Sequence, residues 1–273
     1  MARIKNTNLE KEAIKLLVLE LSGLNGAEFV AHLDQELPYD IQTKMENALD
    51  KYVIEHLPVQ HILGYTYFFG YKMLVDSHVL IPRPETEELV GYVLEKYDEV
   101  FNNRDVKVVD VGTGSGAIAI ALNKEEPHME MYATDISEEA LQVAIQNANI
   151  NDAKCTFIQG DMLKPLINEH LKFDILVSNP PYIPNDEFVE DIVINNEPHV
   201  ALFGGSDGMR FYEIILKDAH KILNYPNIIA FEHSYSKGAE MVAMAKHYFP
   251  KGKIELIKDL SGKDRMTIIV NKE

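Results

Sequence analysis

A single cysteine, Cys155, stands in the whole chain, and tryptophan is absent. With no second thiol in the sequence, neither a disulfide scaffold nor a thiolate zinc cage can be built within it. The ten histidines show no His-x-x-x-His or His-x-His spacing, so no metal site is expected. Basic residues are also scarce. Lys and Arg number 26 against 43 Asp and Glu, a formal net charge of -17. A protein that follows a phosphate backbone over many contacts clusters Lys and Arg, so extended nucleic-acid binding is disfavoured. No apolar run approaches the roughly 20 residues of a membrane span. Glu20 interrupts the first amphipathic stretch before a secretory core can form, which predicts a cytoplasmic protein with no membrane association.

What is present is apolar content of 46% in 273 residues, enough for one large core and a smaller module. From Asn8 to about Leu57 the apolar residues recur at three and four: Leu9, Ile14, Leu17 and Leu21, then Phe29 and Leu33, then Ile41, Met45, Leu49 and Val53. This is helical periodicity, broken at Gly23, Gly26 and Pro38, and it predicts a small helical domain over residues 1–64. The aromatic and β-branched stretch 65–78, with Gly70 at its centre, reads as a linking hairpin.

From residue 79 to 273 the pattern becomes strand, turn, helix, repeated. Strands are expected at Lys107–Val111, Met129–Thr134, Cys155–Gln159, Phe173–Ser178 and Asn227–Phe231, alternating with helical segments. Such alternation predicts an α/β domain with a parallel sheet covered on both faces. Lys253–Ile257 and Arg265–Val270 are too close for a crossover helix, so they should be antiparallel neighbours at one edge.

Two loops carry chemistry. The segment Asp110, Gly112, Thr113, Gly114, Ser115 and Gly116 lies between a buried strand and a helix, where glycines let the backbone turn and approach a ligand. Asp135, ending the next strand, is placed to bond a ribose. These letters also satisfy a loose dinucleotide fingerprint. Asp110 tips the reading, because a carboxylate there would repel a pyrophosphate but suit a ligand with an ammonium and a sulfonium, S-adenosylmethionine. Asp161 and Met162 follow the third strand, where they could accept from the adenine amine and pack on its ring.

The second loop is Asn179-Pro180-Pro181-Tyr182, at the carboxyl end of a strand. Prolines fix its backbone, so the Asn179 side-chain oxygen and the Pro180 carbonyl can both accept from one planar –NH2, with Tyr182 stacked on the plane. That arrangement selects an amide or exocyclic amine as nucleophile and needs no dedicated base.

Together with Gln60–Gly64, Val79–Glu87 and Glu197–Gly208, these segments resemble the release-factor glutamine methyltransferases, and the resemblance runs the length of the chain. It implies a class I S-adenosylmethionine-dependent methyltransferase fold, Rossmann-like with a mostly parallel seven-stranded sheet, beside a small N-terminal helical domain that recognises the release factor. It also implies methyl transfer from S-adenosylmethionine, giving S-adenosylhomocysteine, to the glutamine amide of the Gly-Gly-Gln motif of peptide chain release factors. By position, Gly112 to Gly116, Asp135, Met162 and Asn179 would meet the cofactor, and Asn179 to Tyr182 the glutamine. Two rivals share the loop chemistry: a ribosomal-protein glutamine methyltransferase and a nucleic-acid amine methyltransferase. A cofactor-binding regulator without turnover is a third reading. The Pro82–Glu87 segment has two readings, acids suited to a helix start and a strap shaping the pocket.

Overall fold

A computed structural model of the chain describes residues 11–32 and 34–272. The elements run α1 (Lys11–Ser22), α2 (Gly26–Ala31), α3 (Tyr39–Val53), α4 (Val59–Leu63), β1 (Tyr65–Phe68), β2 (Tyr71–Leu74), α5 (Pro84–Phe101), β3 (Val106–Val111), α6 (Ala117–Glu125) and β4 (Met129–Asp135). They continue with α7 (Glu138–Ile150), β5 (Cys155–Gln159), α8 (Lys164–Asn168), β6 (Phe173–Ser178), α9 (Asp191–Ile194), α10 (Arg210–Ala219), β7 (Leu223–Glu232), α11 (Gly238–Tyr248), β8 (Lys253–Lys258) and β9 (Asp264–Asn271).

The described residues up to Tyr65, with Val189–Asn196, form one compact unit. Leu17, Met45, Ala48, Tyr52 and Val59 make its core, and Ile192 of α9 packs against them. Asn25 caps α2 through a reciprocal pair of bonds with Glu28, satisfying amides that the helix start leaves free. Asn196 donates to the His56 carbonyl at 2.9 Å, fastening the late segment to the early helices. Of the predicted helical positions, Asn8, Leu9 and Leu33 lie outside the described residues.

The second unit holds the remainder, with a seven-stranded sheet in the order β5-β4-β3-β6-β7-β9-β8. Strands β3 to β7 pair in parallel, while β9 runs antiparallel to both β7 and β8. Successive residues of β3 and β6 enter opposite cores: Val108, Ile175 and Val177 face α5 and α6, and Val109, Phe173 and Leu176 face α10 and α11. A strand buried on both faces reads as a continuous apolar run, which is why Val106–Val111 and Phe173–Ser178 were recognisable. The two last strands are antiparallel as expected, but only β8 is an edge. β9 enters between β7 and β8, and its Met266–Val270 run is buried on both sides.

Asn147 of α7 fastens three elements. Its fully buried amide accepts from Leu74 N–H at 2.6 Å and donates to the carbonyls of Leu74 and Ser115 at 3.0 and 2.9 Å, so β2, α7 and the glycine loop share one side chain. Replacing it leaves buried backbone groups unpaired, at about 1–3 kcal/mol for each. Asn147→Ala is therefore expected to lower unfolding free energy by about 2 kcal/mol or more in a urea titration, with the loss absent for the exposed control Asn149→Ala on the same helix.

Candidate active site

The strand order reverses beside β3: β4 and β5 lie on one side, β6 and β7 on the other. Open parallel sheets bind ligands at such a switch point, beyond the carboxyl ends of the strands. Here the loops after β3 and β6 flank a cavity of about 290 Å³. Gly112, Thr113, Gly114, Ser115, Asp135, Asp161, Met162, Asn179 and Pro181 line it. Asp110, Gly116, Pro180 and Tyr182 do not, although each belongs to one of the two predicted loops.

Gly112, Gly114 and Gly116 all take positive φ, at 74°, 55° and 82°, a conformation that costs other residues. The loop closes back on the sheet, with the amides of Gly112 and Thr113 both donating to the Thr134 carbonyl at 2.8 and 2.9 Å. Asp135 accepts from the Gly114 and Ser137 amides at 2.8 and 3.0 Å. A carboxylate has about four acceptor positions, so these amides leave acceptor capacity for a hydroxyl of a ligand in the cavity.

Asp110 sits under the loop, fully buried, and accepts from the Thr113 hydroxyl. Its Oδ1 has no hydrogen-bond partner. Burial pushes its pKa up from 3.8 to about 7, countered in part by Thr113, while the nearby Asp135 raises it further. Burial also raises Asp135. Asp110 therefore lies beneath the loop and not in the cavity wall, where Asp135 and Asp161 are the carboxylates.

Asp161 is ion-paired to Lys164 at 2.5 Å. Met162 is half-buried, with φ of 50° and its side chain against the α10–α11 core. Cys155 does not line the cavity, and burial, helped by the charge of Asp110, holds its thiol up at about 12.

Sequence reading missed a carboxylate in the second loop's surroundings. Asn179 Nδ2 donates to Thr86 Oγ1 at 3.1 Å, and Thr86 donates to Glu232 Oε2 at 2.6 Å. Glu232 ends β7 and is 1% exposed; Tyr182 reaches its other oxygen at 3.4 Å. Burial lifts the Glu232 pKa from 4.5 to about 7, opposed by the Thr86 bond and Arg265. Burial likewise raises the Tyr182 phenol. The available signal was positional: Glu232 closes a predicted parallel strand at the same edge as Asp135 and Asn179.

The Pro82–Glu88 segment serves as a strap, its side chains reaching four different elements. Arg83 pairs with buried Glu197 at 2.5 Å, Thr86 bonds Glu232, Glu87 accepts from Phe69 N–H at 2.7 Å, and Glu88 accepts from Leu260 N–H at 3.1 Å. Pro84 opens α5 as expected, but its acids are spent on these partners. The Glu197–Gly208 segment props the asparagine loop, with Ile183 and Gly204 exchanging backbone bonds with Leu202 and Ile183 at 3.0 and 2.8 Å. A Cβ on Gly208 would stand 2.2 Å from the Tyr182 carbonyl oxygen.

A family model described as the PrmC N-terminal domain matches residues 2–64, and one described as the Methyltransferase small domain matches residues 94–200. The release factor glutamine methyltransferase of Bacillus subtilis is 40% identical over 259 residues, covering 94% of this chain and 90% of that protein. The protein of the same name from Staphylococcus aureus is 37% identical over 259 residues, covering 94% and 91%. Among solved structures, a methyltransferase from Pyrococcus furiosus superposes with a TM-score of 0.55 at 17% identity, over 86% of this chain and 99% of that one. Sheet order, switch-point cavity and matching domains make this a class I S-adenosylmethionine-dependent methyltransferase. Within that class the chain belongs to the release factor glutamine methyltransferase family.

Two outcomes are expected. Gly208→Ala carries a methyl where the Tyr182 backbone stands, so it should cut methyl transfer at least tenfold while circular dichroism still reports the folded sheet. Asp110 binds its proton more tightly folded than unfolded, so the stability this gives is present below about pH 4 and lost as pH rises through about 7. Asp110→Asn should flatten that part of the decline in a series of urea titrations between pH 4.5 and 8, and an unchanged slope would rule the assignment out.

Proposed function

We propose that this chain transfers a methyl group from S-adenosylmethionine to the side-chain amide nitrogen of the glutamine in the Gly-Gly-Gln motif of peptide chain release factors. The carrying observation is Asn179 at the end of β6, beside the glycine loop, with its amide nitrogen committed to Thr86 and its oxygen left for an incoming donor. The names of the relatives point to the same substrate.

Residues lining the cavity suit the cofactor. Asp135 has acceptor positions for ribose hydroxyls, Met162 offers an apolar surface for a base, and Asp161 stands beside it. Beneath them the unpartnered Oδ1 of Asp110 adds negative potential that a cationic amino-acid tail and sulfonium would satisfy. The bound cofactor supplies an electrophilic methyl group on sulfur, and leaves as S-adenosylhomocysteine.

The protein's part is to hold the nucleophile. An amide nitrogen is weakly nucleophilic because its lone pair is delocalised into the carbonyl. Acceptors on its two hydrogens, the Asn179 oxygen and the Pro180 carbonyl, bind more strongly as positive charge develops on that nitrogen. This favours the transition state over the ground state without a general base, and the proton leaves after transfer. Recognition of the release factor body falls to the helical unit, residues 1–64, and the reaction belongs in the cytoplasm, where release factors work. Among the described residues no helix is long and apolar enough to cross a membrane.

Labelled S-adenosylmethionine offered with release factor, the same factor lacking its Gly-Gly-Gln glutamine, ribosomal protein and nucleic acid should label the unaltered factor alone. Label on nucleic acid would reassign the loop to an amine base. Asn179→Ala is expected to cut transfer by about 10²–10³, with melting temperature nearly unchanged.

A further inference from the structure

We propose that Glu232 and Thr86 form a positioning relay that fixes which end of the Asn179 amide faces the substrate, so that the ionised Glu232 carboxylate keeps Asn179 an acceptor. The inference rests on the reading of Asn179 as the glutamine clamp and extends it to two residues that the loop motif does not contain.

The logic is a count of hydrogens. A threonine hydroxyl has one hydrogen and two lone pairs. When Glu232 is ionised it can only accept, so Thr86 gives it that hydrogen across 2.6 Å. The lone pairs of Thr86 then require a donor, and the Asn179 –NH2 at 3.1 Å is that donor. The amide cannot turn over without setting its carbonyl oxygen against the Thr86 lone pairs. Its Oδ1 is thereby held as the end available in the cavity that both Asn179 and Thr86 line.

Protonating Glu232 undoes this. A neutral carboxyl can donate to Thr86, whose own hydrogen is then free to point at Asn179, and both orientations of the amide become satisfiable. A turned amide presents –NH2 to the substrate –NH2, two donors with no acceptor between them.

The surroundings raise the pH at which this change falls. Glu232 is packed by Glu85 and Thr86 of α5, Tyr182 after β6, Tyr212 of α10 and Arg265 of β9. Burial and Glu85 favour the neutral form, whereas Arg265 and the bonds from Thr86 and Tyr182 favour the ionised one, and the balance lies at about 7. Arg265 is itself held by Asp259 at 3.3 Å. Tyr212 donates to the Glu232 backbone carbonyl at 2.8 Å, which anchors the residue without competing for its carboxylate. The activity limb therefore has a definite sign: transfer falls as pH drops below about 7 and the carboxylate is lost.

Methylation of release factor by the full chain, measured from pH 6 to 9 with cofactor affinity measured by calorimetry, tests the relay. Glu232→Gln and Thr86→Val should each lower kcat by about 10–100-fold, as loss of orientation does, with cofactor affinity little moved. At saturating cofactor, where the Asp110-linked affinity does not register, Glu232→Gln should also lack the acidic limb of kcat, and Thr86→Ser, which keeps the hydroxyl, should recover most of what Thr86→Val loses. A folded Glu232→Gln enzyme with wild-type kcat and an unchanged acidic limb overturns the relay while leaving the glutamine reading intact. So does a lowered melting temperature with no change in kcat or pH profile. Wild-type enzyme that transfers no methyl to the release factor removes the reading itself, and the relay with it.

Discussion

The site rests on how the carboxyl ends of the parallel strands are closed. A strand that stops inside a sheet leaves backbone groups that must find partners, and each unpaired buried group costs about 1–3 kcal/mol. Here neighbouring loops supply them. The Thr134 carbonyl takes two amides of the glycine loop, the Asp135 carbonyl takes the Gly160 amide, and the Ser178 hydroxyl donates to the Val111 carbonyl. The loops after β3, β4, β5 and β6 are thus tied to strand ends at one edge. Reacting groups placed there inherit the rigidity of the sheet, which is what a reaction that works by orientation requires.

Around that edge, charge is spent on holding elements together. Two carboxylates at the site, Asp110 and Glu232, are buried with pKa values pushed up to about 7. Each is approached by a hydroxyl at its own end of the site, Thr113 for Asp110 and Thr86 for Glu232. Arg83 is neutralised by Glu197 and Arg265 by Asp259, while Arg210 also lines the cavity.

Much of this was legible in the sequence for a physical reason. Doubly buried strands write themselves as apolar runs, and loops that must turn sharply or stay rigid write themselves as glycine and proline. The β3 loop and the Asn179 loop were therefore visible. What stayed hidden depends on contacts between distant positions. Nothing local marks Glu232 as the partner of Thr86, 146 residues away, or sends Val189–Asn196 back to the helical unit. The insertion of β9 between β7 and β8 was not read either, although its buried Met266–Val270 run differs from the more exposed β8.

Asp110 shows how a local argument can miss the depth at which a residue lies. Its carboxylate was read as a charge meeting the ligand, yet it lies below the loop and its proton is held to about pH 7. From there an ionised carboxylate acts on a ligand through a low-dielectric layer without contact. A cation above the loop favours ionisation of Asp110, and an ionised Asp110 favours a cation, so affinity and protonation are linked. A pyrophosphate would be linked with the opposite sign, driving Asp110 toward its neutral form. The two ligand types that share this glycine spacing would therefore be told apart by the sign of their linkage to the buried acid beneath the loop.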